Sequence, residues 1–106
     1  MAIQRSPTPP NALGGAIPSI NYNVRVMHYV YILRSEKDQK LYIGCSNDLK
    51  RRFEEHTQGM VEATKHRRPL QLIYYEAYDT RGLATERESK LKQFGSAYRG
   101  LIKRLQ

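Results

Sequence analysis

Two tyrosines on neighbouring predicted strands, Tyr31 and Tyr42, are the first side chains in the sequence that could do chemistry on a phosphate. If both strands show the usual alternation of facing, the two phenols lie on the same surface of the sheet. A phenol beside a scissile phosphate can position water or, when cations or a metal lower its pKa, accept a proton. Tyrosine is also an ordinary strand residue and the chain has eight, so taken alone the pair is more typical of packing.

A guanidinium and an imidazole follow on the next predicted helix. Arg52 and His56 are spaced to project from one face, while Leu49 and Phe53 share an adjacent face that should pack inward. A guanidinium can hold a phosphate in a bidentate grip and neutralise charge that develops during hydrolysis. The same spacing is equally typical of a solvated helix face, here among Lys50, Arg51, Glu54 and Glu55.

Glu88 is the most informative single residue, because Ala84, Glu88 and Leu91 recur at helical spacing on the face that should pack against the sheet. A carboxylate is costly to bury without a partner, so this position predicts a cation or a metal ion beside it. Two plainer explanations stay open. One is an ion pair with an arginine, and the other is a helix rotated so that Glu88 lies at the rim and Glu86 faces solvent.

The charge balance points to a polyanionic partner. The chain has 18 Lys and Arg against 10 Asp and Glu, a formal net charge of +8 at pH 7, and nucleic acid is the first candidate for such a surface. Charge alone does not separate this class from ribosomal or membrane-surface proteins. The side chains expected to contact phosphates, each in a salt-sensitive and sequence-independent way, are Lys50, Arg51, Lys65, Arg67, Arg68 and Lys92.

The elements that must position these residues form an α/β pattern. Residues 28–33 and 41–44 predict a β-hairpin, and residues 70–75 have the composition of a third strand. Ser46 and Asn47 are candidate N-caps of a helix over residues 48–56. Residues 80–82 predict a turn, and helices are expected from about 84 to 94, capped by Gly95, and over 97–105.

The length and texture of the chain predict one domain with a leader. Residues 1–26 contain four of the five prolines and no acidic residue, so we expect a disordered leader or extension there and a domain over 27–106. The single cysteine, Cys45, cannot form an internal disulfide. Without a membrane-length apolar run or a signal-peptide pattern, a cytoplasmic protein with no membrane partner is expected.

The order of several short motifs resembles one nuclease family. The chain reads Tyr29-Val30-Tyr31, Tyr42-Ile43-Gly44, residues 48–53 with His56, Arg68-Pro69 before a strand, and later Glu88. This order resembles the GIY-YIG nuclease superfamily. More narrowly, it is similar to the small bacterial proteins grouped as uncharacterised protein family 0213, which are related to the nuclease domain of the excision-repair incision subunit. The resemblance covers residues 27–106.

The resemblance implies a small three-stranded antiparallel sheet flanked by helices, with a nuclease site on one face. Tyr31 and Tyr42 are implied to position or deprotonate the attacking water, Arg52 to contact the scissile phosphate and His56 to assist. Glu88 is implied to hold one divalent ion, Mg²⁺ or Mn²⁺, acting as a Lewis acid. The expected activity is metal-dependent, structure-guided cleavage of phosphodiester bonds in DNA, more than in RNA, during repair or related processing.

Two departures from the family pattern keep other functions in view. Tyr29 stands where the family name has glycine, and no asparagine follows Asn47, whereas many members have one near the C-terminus. A nucleic-acid-binding module that keeps the fold without cutting is therefore the alternative. A basic scaffold for another protein is the third hypothesis. No pattern indicates the oligomeric state, and a monomer is assumed.

Overall fold

The computed structural model of the protein describes residues 26–105. The expected disordered leader over residues 1–26 lies, apart from Val26, outside the described residues, so the domain boundary near Met27 stays a prediction. The elements in chain order are β1 (His28–Ser35), β2 (Leu41–Ser46), α1 (Leu49–Thr57), a 3₁₀ turn (Lys65–Arg67), β3 (Leu70–Tyr78), α2 (Arg81–Lys92) and α3 (Ser96–Leu105).

The three strands form one antiparallel sheet in the order β2-β1-β3. The first strand is central, and Tyr31 at its middle lies opposite Gly44 of β2 and Tyr75 of β3. The sheet and the hairpin predicted from composition are thereby confirmed, as is the α/β class with helices against a small antiparallel sheet.

The alternation of β1 distributes its side chains between two apolar clusters. Val30 and Ile32 pack on one face with Leu91 of α2 and Leu101 of α3. The opposite face carries Tyr29, Tyr31, Leu33 and Tyr75, together with Leu49 of α1. The sheet is therefore the middle of three layers, with α1 on one face and α2 and α3 on the other. Tyr31 and α1 lie on the same face of the sheet, so residues of β1 and α1 come into contact there.

Three details of the helix ends differ from expectation. The side chain of Asp48, rather than Ser46 or Asn47, caps α1 by accepting a hydrogen bond of 3.0 Å from the backbone N–H of Arg51. The turn expected over residues 80–82 is wrong, since Thr80 is the N-cap of α2 and the helix begins at the next residue. At the other end of α2, Phe94 has the left-handed backbone expected of Gly95, with φ of 57°.

None of the helices within residues 26–105 is long and apolar enough to cross a membrane.

Candidate active site

The two candidate phenols lie on the same face of the sheet, as strand alternation predicts. The ring centroids of Tyr31 and Tyr42 are 6.4 Å apart. Tyr31 is 1% exposed, whereas Tyr42 is only partly buried. Gly44 makes this arrangement possible, because a Cβ at that position would overlap the Tyr31 ring and hydroxyl. The absence of a side chain in β2 therefore leaves the space that the inner phenol occupies.

His56 joins the two tyrosines from the facing helix. It is completely buried, so a solvated position on α1 is wrong for this residue. Its ring meets Tyr31 and Tyr42 edge-on at centroid distances of 5.6 and 5.2 Å. Its Nε2 atom lies 2.8 Å from the Tyr31 hydroxyl, and its Nδ1 atom lies 2.7 Å from the hydroxyl of Thr64. Both ring nitrogens thus have a hydrogen-bond partner.

Burial keeps the tyrosine and histidine of this pair neutral. Loss of water, reinforced by the charge of Arg52, lowers the pKa of His56 to about 4. Burial also raises the pKa of Tyr31 to about 12, although a hydrogen-bonding interaction with Arg52 works in the opposite direction. At pH 7 the resting pair is therefore a phenol beside a neutral imidazole.

Arg52 connects this buried pair with an open pocket. Its guanidinium interacts with the Tyr31 hydroxyl and also lines the pocket described below. Its Nη1 atom lies 3.0 Å from Glu55 Oε1, while Glu55 Oε2 lies 2.7 Å from Arg51. The hydrogen bond from Arg52 holds the pKa of the Glu55 carboxyl below its usual range. One carboxylate thus orients two guanidinium groups on the first turns of α1.

Glu88 enters the same pocket from the other side of the sheet. The pocket has a volume of about 600 Å³ and lies where β2, one of the two edge strands, ends, with lining residues His28, Cys45, Ser46, Asn47, Arg51, Arg52, Arg81, Thr85 and Glu88. The side chain of Glu88 is 21% exposed, and its Oε2 atom lies 3.2 Å from Lys92 Nζ. Ala84 and Leu91 are fully buried, so Glu88 is at the rim of the packed face, not within it.

The donor set suits a hard divalent ion held mainly by water. Within residues 26–105 no group of three or more His, Cys, Asp or Glu side chains could enclose a metal. Magnesium, however, commonly keeps several waters and takes one or two carboxylates plus phosphate oxygens. Glu88 supplies a partly exposed carboxylate, and Arg52 in the same pocket has a side chain of the kind that binds phosphate. The two residues fit that mode of magnesium binding.

The predicted phosphate contacts fall into two groups at opposite ends of α1, a helix of nine residues and about 13 Å long. Arg51 lines the pocket, and Lys50 beside it is exposed. The Arg68 side chain donates to the backbone oxygen of Thr57, at the far end of the helix. Lys65 and Arg67 pair with Glu62 and Asp38 at 3.0 and 3.4 Å. Lys92 pairs with Glu88 of the pocket and therefore belongs with Lys50 and Arg51.

Among residues 26–105 the fully buried carboxylate is Glu76, whose burial the sequence did not predict. It is 1% exposed and accepts hydrogen bonds of 3.0 Å from both Nε and Nη2 of Arg87. The hydroxyls of Tyr74 and Tyr78 also donate to it. Burial raises its pKa, but these donors outweigh burial and lower it. The signal available in the sequence was the spacing of Tyr74, Glu76 and Tyr78, which puts them on one face of β3.

Thr64 and Arg81 are further site residues that the sequence did not reveal. Thr64 is completely buried against His56, and Arg81 lines the pocket at the first turn of α2. Neither belongs to a periodic pattern, and Thr64 precedes only a short 3₁₀ turn. Their roles follow from which segments the fold brings together, which local sequence does not encode.

Comparison with known proteins shows the family to which the chain belongs. Residues 27–99 match the model of the GIY-YIG catalytic domain. A UPF0213 protein of Staphylococcus saprophyticus is 43% identical over 68 residues, covering 63% of this chain and 82% of that protein. A UPF0213 protein of Haloquadratum walsbyi is 41% identical over 68 residues, covering 63% and 75%.

A solved structure is also similar. The solution NMR structure of a UPF0213 protein of Bacillus halodurans aligns with a TM-score of 0.48 at 28% identity, covering 76% of this chain and 85% of that one. The family match spans both tyrosines, Arg52, His56 and Glu88, and the sequence relatives bear out the resemblance drawn from the motif order. The chain therefore belongs to the GIY-YIG catalytic-domain family and, within it, to the UPF0213 group.

Proposed function

We propose that the protein is a metal-dependent endonuclease that hydrolyses phosphodiester bonds in DNA. The observation that carries this proposal is that Arg52 and Glu88 line one pocket, while the charge of Arg52 also acts on the cluster of Tyr31, Tyr42 and His56, in a chain of net charge +8. These groups can hold a phosphate, direct a water and remove its proton, which are the requirements of hydrolysis. Family membership supports the same reaction class.

Arg52 is the residue proposed to hold the scissile phosphate. It is partly exposed to the pocket while Glu55 restrains its guanidinium through a hydrogen bond of 3.0 Å. A preorganised cation of this kind stabilises the charge that develops on the phosphate without having to reorganise during the reaction. Arg51, bound to the same Glu55, supplies a second positive charge at the pocket wall.

Tyr31, Tyr42 and His56 are proposed to act on the attacking water. A phenol with a pKa of about 12 is ionised in roughly one molecule in 10⁵ at pH 7, so Tyr31 cannot serve as a preformed phenolate. Its proton must leave while the water attacks, and His56 Nε2 at 2.8 Å is positioned to receive it. Tyr42, the more exposed phenol, contacts the edge of the same imidazole and can orient the water.

Glu88 is the residue that would hold a divalent ion, with water molecules as the other ligands. Bound there, Mg²⁺ or Mn²⁺ would supply Lewis-acid stabilisation of charge on the phosphate and leaving oxygens. Until such an ion binds, Lys92 neutralises the carboxylate at 3.2 Å. The lysine is half exposed and can turn to a DNA phosphate when the metal takes its place.

The proposed substrate is DNA distinguished by its structure, not by its base sequence. The cationic groups at the two ends of α1 are of the type that contacts phosphates, which are the same in every sequence. We therefore expect flapped or branched DNA of the kind processed in repair to be cut without a sequence preference.

The test is cleavage of labelled single-stranded, duplex, flapped and branched DNA with Mg²⁺, Mn²⁺ or EDTA. We expect metal-dependent product that Glu88→Ala abolishes and Arg52→Ala lowers by about 10²- to 10³-fold. The matched control is Glu86→Ala, because Glu86 lies on the same helix and pairs with Lys90 at 3.0 Å as Glu88 pairs with Lys92. DNA binding by Glu88→Ala should stay close to wild type.

One observation favours a second function, that of a DNA-binding module that does not cut. The two charges most needed for catalysis already have partners, since Arg52 pairs with Glu55 and Glu88 with Lys92. A folded wild-type protein that binds DNA in a salt-sensitive way, but releases no metal-dependent product from any of these substrates, would replace the endonuclease by this module.

A further inference from the structure

Three buried side chains are linked by hydrogen bonds from Thr64 through His56 to Tyr31. Thr64 lies outside the family motifs. Thr64 Oγ1 lies 2.7 Å from His56 Nδ1, and His56 Nε2 lies 2.8 Å from the Tyr31 hydroxyl. Thr64 and His56 are completely buried and Tyr31 is 1% exposed. Water therefore does not compete for either ring nitrogen, and the protein itself determines which nitrogen carries the proton.

The neighbouring charge selects one of the two proton arrangements. A neutral imidazole carries one N–H, so Nε2 either accepts the Tyr31 proton or donates its own. Arg52 interacts with the same phenol oxygen and can only donate. The positive charge of Arg52 near that oxygen favours its lone pairs facing the guanidinium and its O–H pointing away, so the phenol donates to Nε2. The imidazole proton is then on Nδ1.

The backbone around Thr64 is held firmly enough to fix a partner for that proton. The N–H of Thr64 donates to the oxygen of Val61 at 3.1 Å, and its carbonyl accepts from the N–H of Arg67 at 2.9 Å. Val61 is itself buried. The hydroxyl of Thr64 is consequently presented to the imidazole by a loop with hydrogen bonds on both sides.

We infer that Thr64 is a positioning residue whose hydroxyl oxygen accepts the His56 Nδ1–H and so holds His56 in the tautomer that takes the Tyr31 proton. The consequence for catalysis rests on the proposed nuclease function. The assignment of the tautomer does not, because it follows from the hydrogen bonds among Thr64, His56 and Tyr31 and from the charge of Arg52 beside them.

In the proposed step, water displaces the leaving oxygen at phosphorus, and Tyr31 and His56 take part in moving its proton. The water oxygen forms a bond to phosphorus, and the bond from phosphorus to the leaving oxygen breaks. The proton lost by the water passes to the Tyr31 oxygen as the phenol proton passes to His56 Nε2. The imidazolium then donates from both nitrogens, to Tyr31 and to Thr64, and the leaving oxygen takes a proton from solvent. Thr64 stabilises the charged ring by accepting its second N–H.

The first experiment reads the tautomer directly. Long-range ¹⁵N–¹H correlation spectra of uniformly ¹⁵N-labelled protein distinguish a protonated from an unprotonated ring nitrogen, and a His56→Asn variant assigns the signals among the three histidines. The wild type should show a protonated Nδ1. In Thr64→Val, which keeps the shape but removes the acceptor, we expect a shift towards protonated Nε2, because a buried N–H without a partner is costly. An Nε2-protonated ring in the wild type would overturn the inference.

The second experiment measures cleavage by the same proteins. Thr64→Val should lower kcat by about 10- to 100-fold with KM unchanged, the effect known for groups that orient metal-bound histidines by accepting their second N–H. Thr64→Ser, which restores the hydroxyl, should recover both the wild-type tautomer and most of the activity. The matched control is Thr57→Val, since Thr57 is exposed on α1 and its hydroxyl donates to the oxygen of Phe53. Wild-type kcat in a folded Thr64→Val would refute the catalytic role.

The two experiments separate this inference from the proposed function. If the wild-type protein cuts no DNA, the spectra still decide the tautomer and the nuclease proposal alone fails. If Thr64→Val does not fold, the wild-type and Thr64→Ser spectra decide it instead. If the wild type cuts and Thr64→Val matches it in spectrum and rate, the inference fails and the nuclease proposal stands.

Discussion

Lowering the pH from 7 to 5 should destabilise the domain through His56. Burial and the Arg52 charge lower the pKa of this residue to about 4, from 6.5 in an unperturbed histidine. As the pH falls below 6.5, the unfolded chain takes up a proton on His56 while the folded protein does not. Stability is therefore lost between about pH 6.5 and 4, and this contribution is constant above and below that interval.

The size of the effect follows from the two pKa values. A difference of one pKa unit corresponds to 1.36 kcal/mol, so the full contribution of His56 is about 3 kcal/mol and about 2 kcal/mol is already lost at pH 5. A domain of this size has a total stability of about 5–15 kcal/mol. The loss should therefore be a sizeable fraction of the free energy of unfolding.

Urea denaturation at pH 7 and pH 5 measures this loss. The comparison is between wild type, His56→Gln, and His66→Gln as the control, because His66 is an exposed histidine of the 3₁₀ turn. The difference in unfolding free energy between the two pH values should be about 2 kcal/mol smaller in His56→Gln than in wild type. In His66→Gln it should resemble that of wild type. An equal loss in His56→Gln and wild type would show that His56 is not held neutral by burial.

Two further substitutions test the packing that supports the site. In Gly44→Ala the new Cβ would overlap the Tyr31 ring, so we expect a loss of about 1–3 kcal/mol in urea denaturation and weaker cleavage. Gly100→Ala on α3 meets no atom within 4 Å and should gain about 0.5–1 kcal/mol; equal effects of the two alanines would contradict this account. Glu76→Ala should cost about 3–5 kcal/mol in the same assay, because Arg87 is left without its buried partner. A cost below about 1 kcal/mol would show that the pair is not needed for stability.

Much of the fold was predictable because its signals are local. Runs of apolar, β-branched and aromatic residues marked the strands, and the helical spacing of Ala84 and Leu91 identified a packed helix face that the structure confirms. Helix ends were less predictable. Asp48 competes with two other capping residues nearby, and Phe94 adopts a left-handed backbone for which Gly95 is the better candidate.

The candidate site was predictable only in part. Alternation placed Tyr31 and Tyr42 on one face, and helical spacing placed Arg52 near His56. The burial of the acidic side chains was not predictable in the same way. The spacing of Glu88 favoured a buried carboxylate, but in the structure Glu88 is partly exposed and Glu76 is the buried one. A small rotation of α2 about its axis decides between rim and interior, and hydrophobic spacing does not resolve that rotation.

The sequence by itself determined the class of the fold, the two tyrosines as a pair, and the family, because these depend on residue types at short separations. Tertiary structure alone decided that His56 is buried between Tyr31 and Thr64. It also decided that Glu88 and Arg52, which lie on opposite faces of the sheet, line one pocket at the end of β2. The physical reason is that neutrality, proton position and metal access depend on which distant segments exclude water from a side chain. No property of the residue's own neighbours in the chain specifies this.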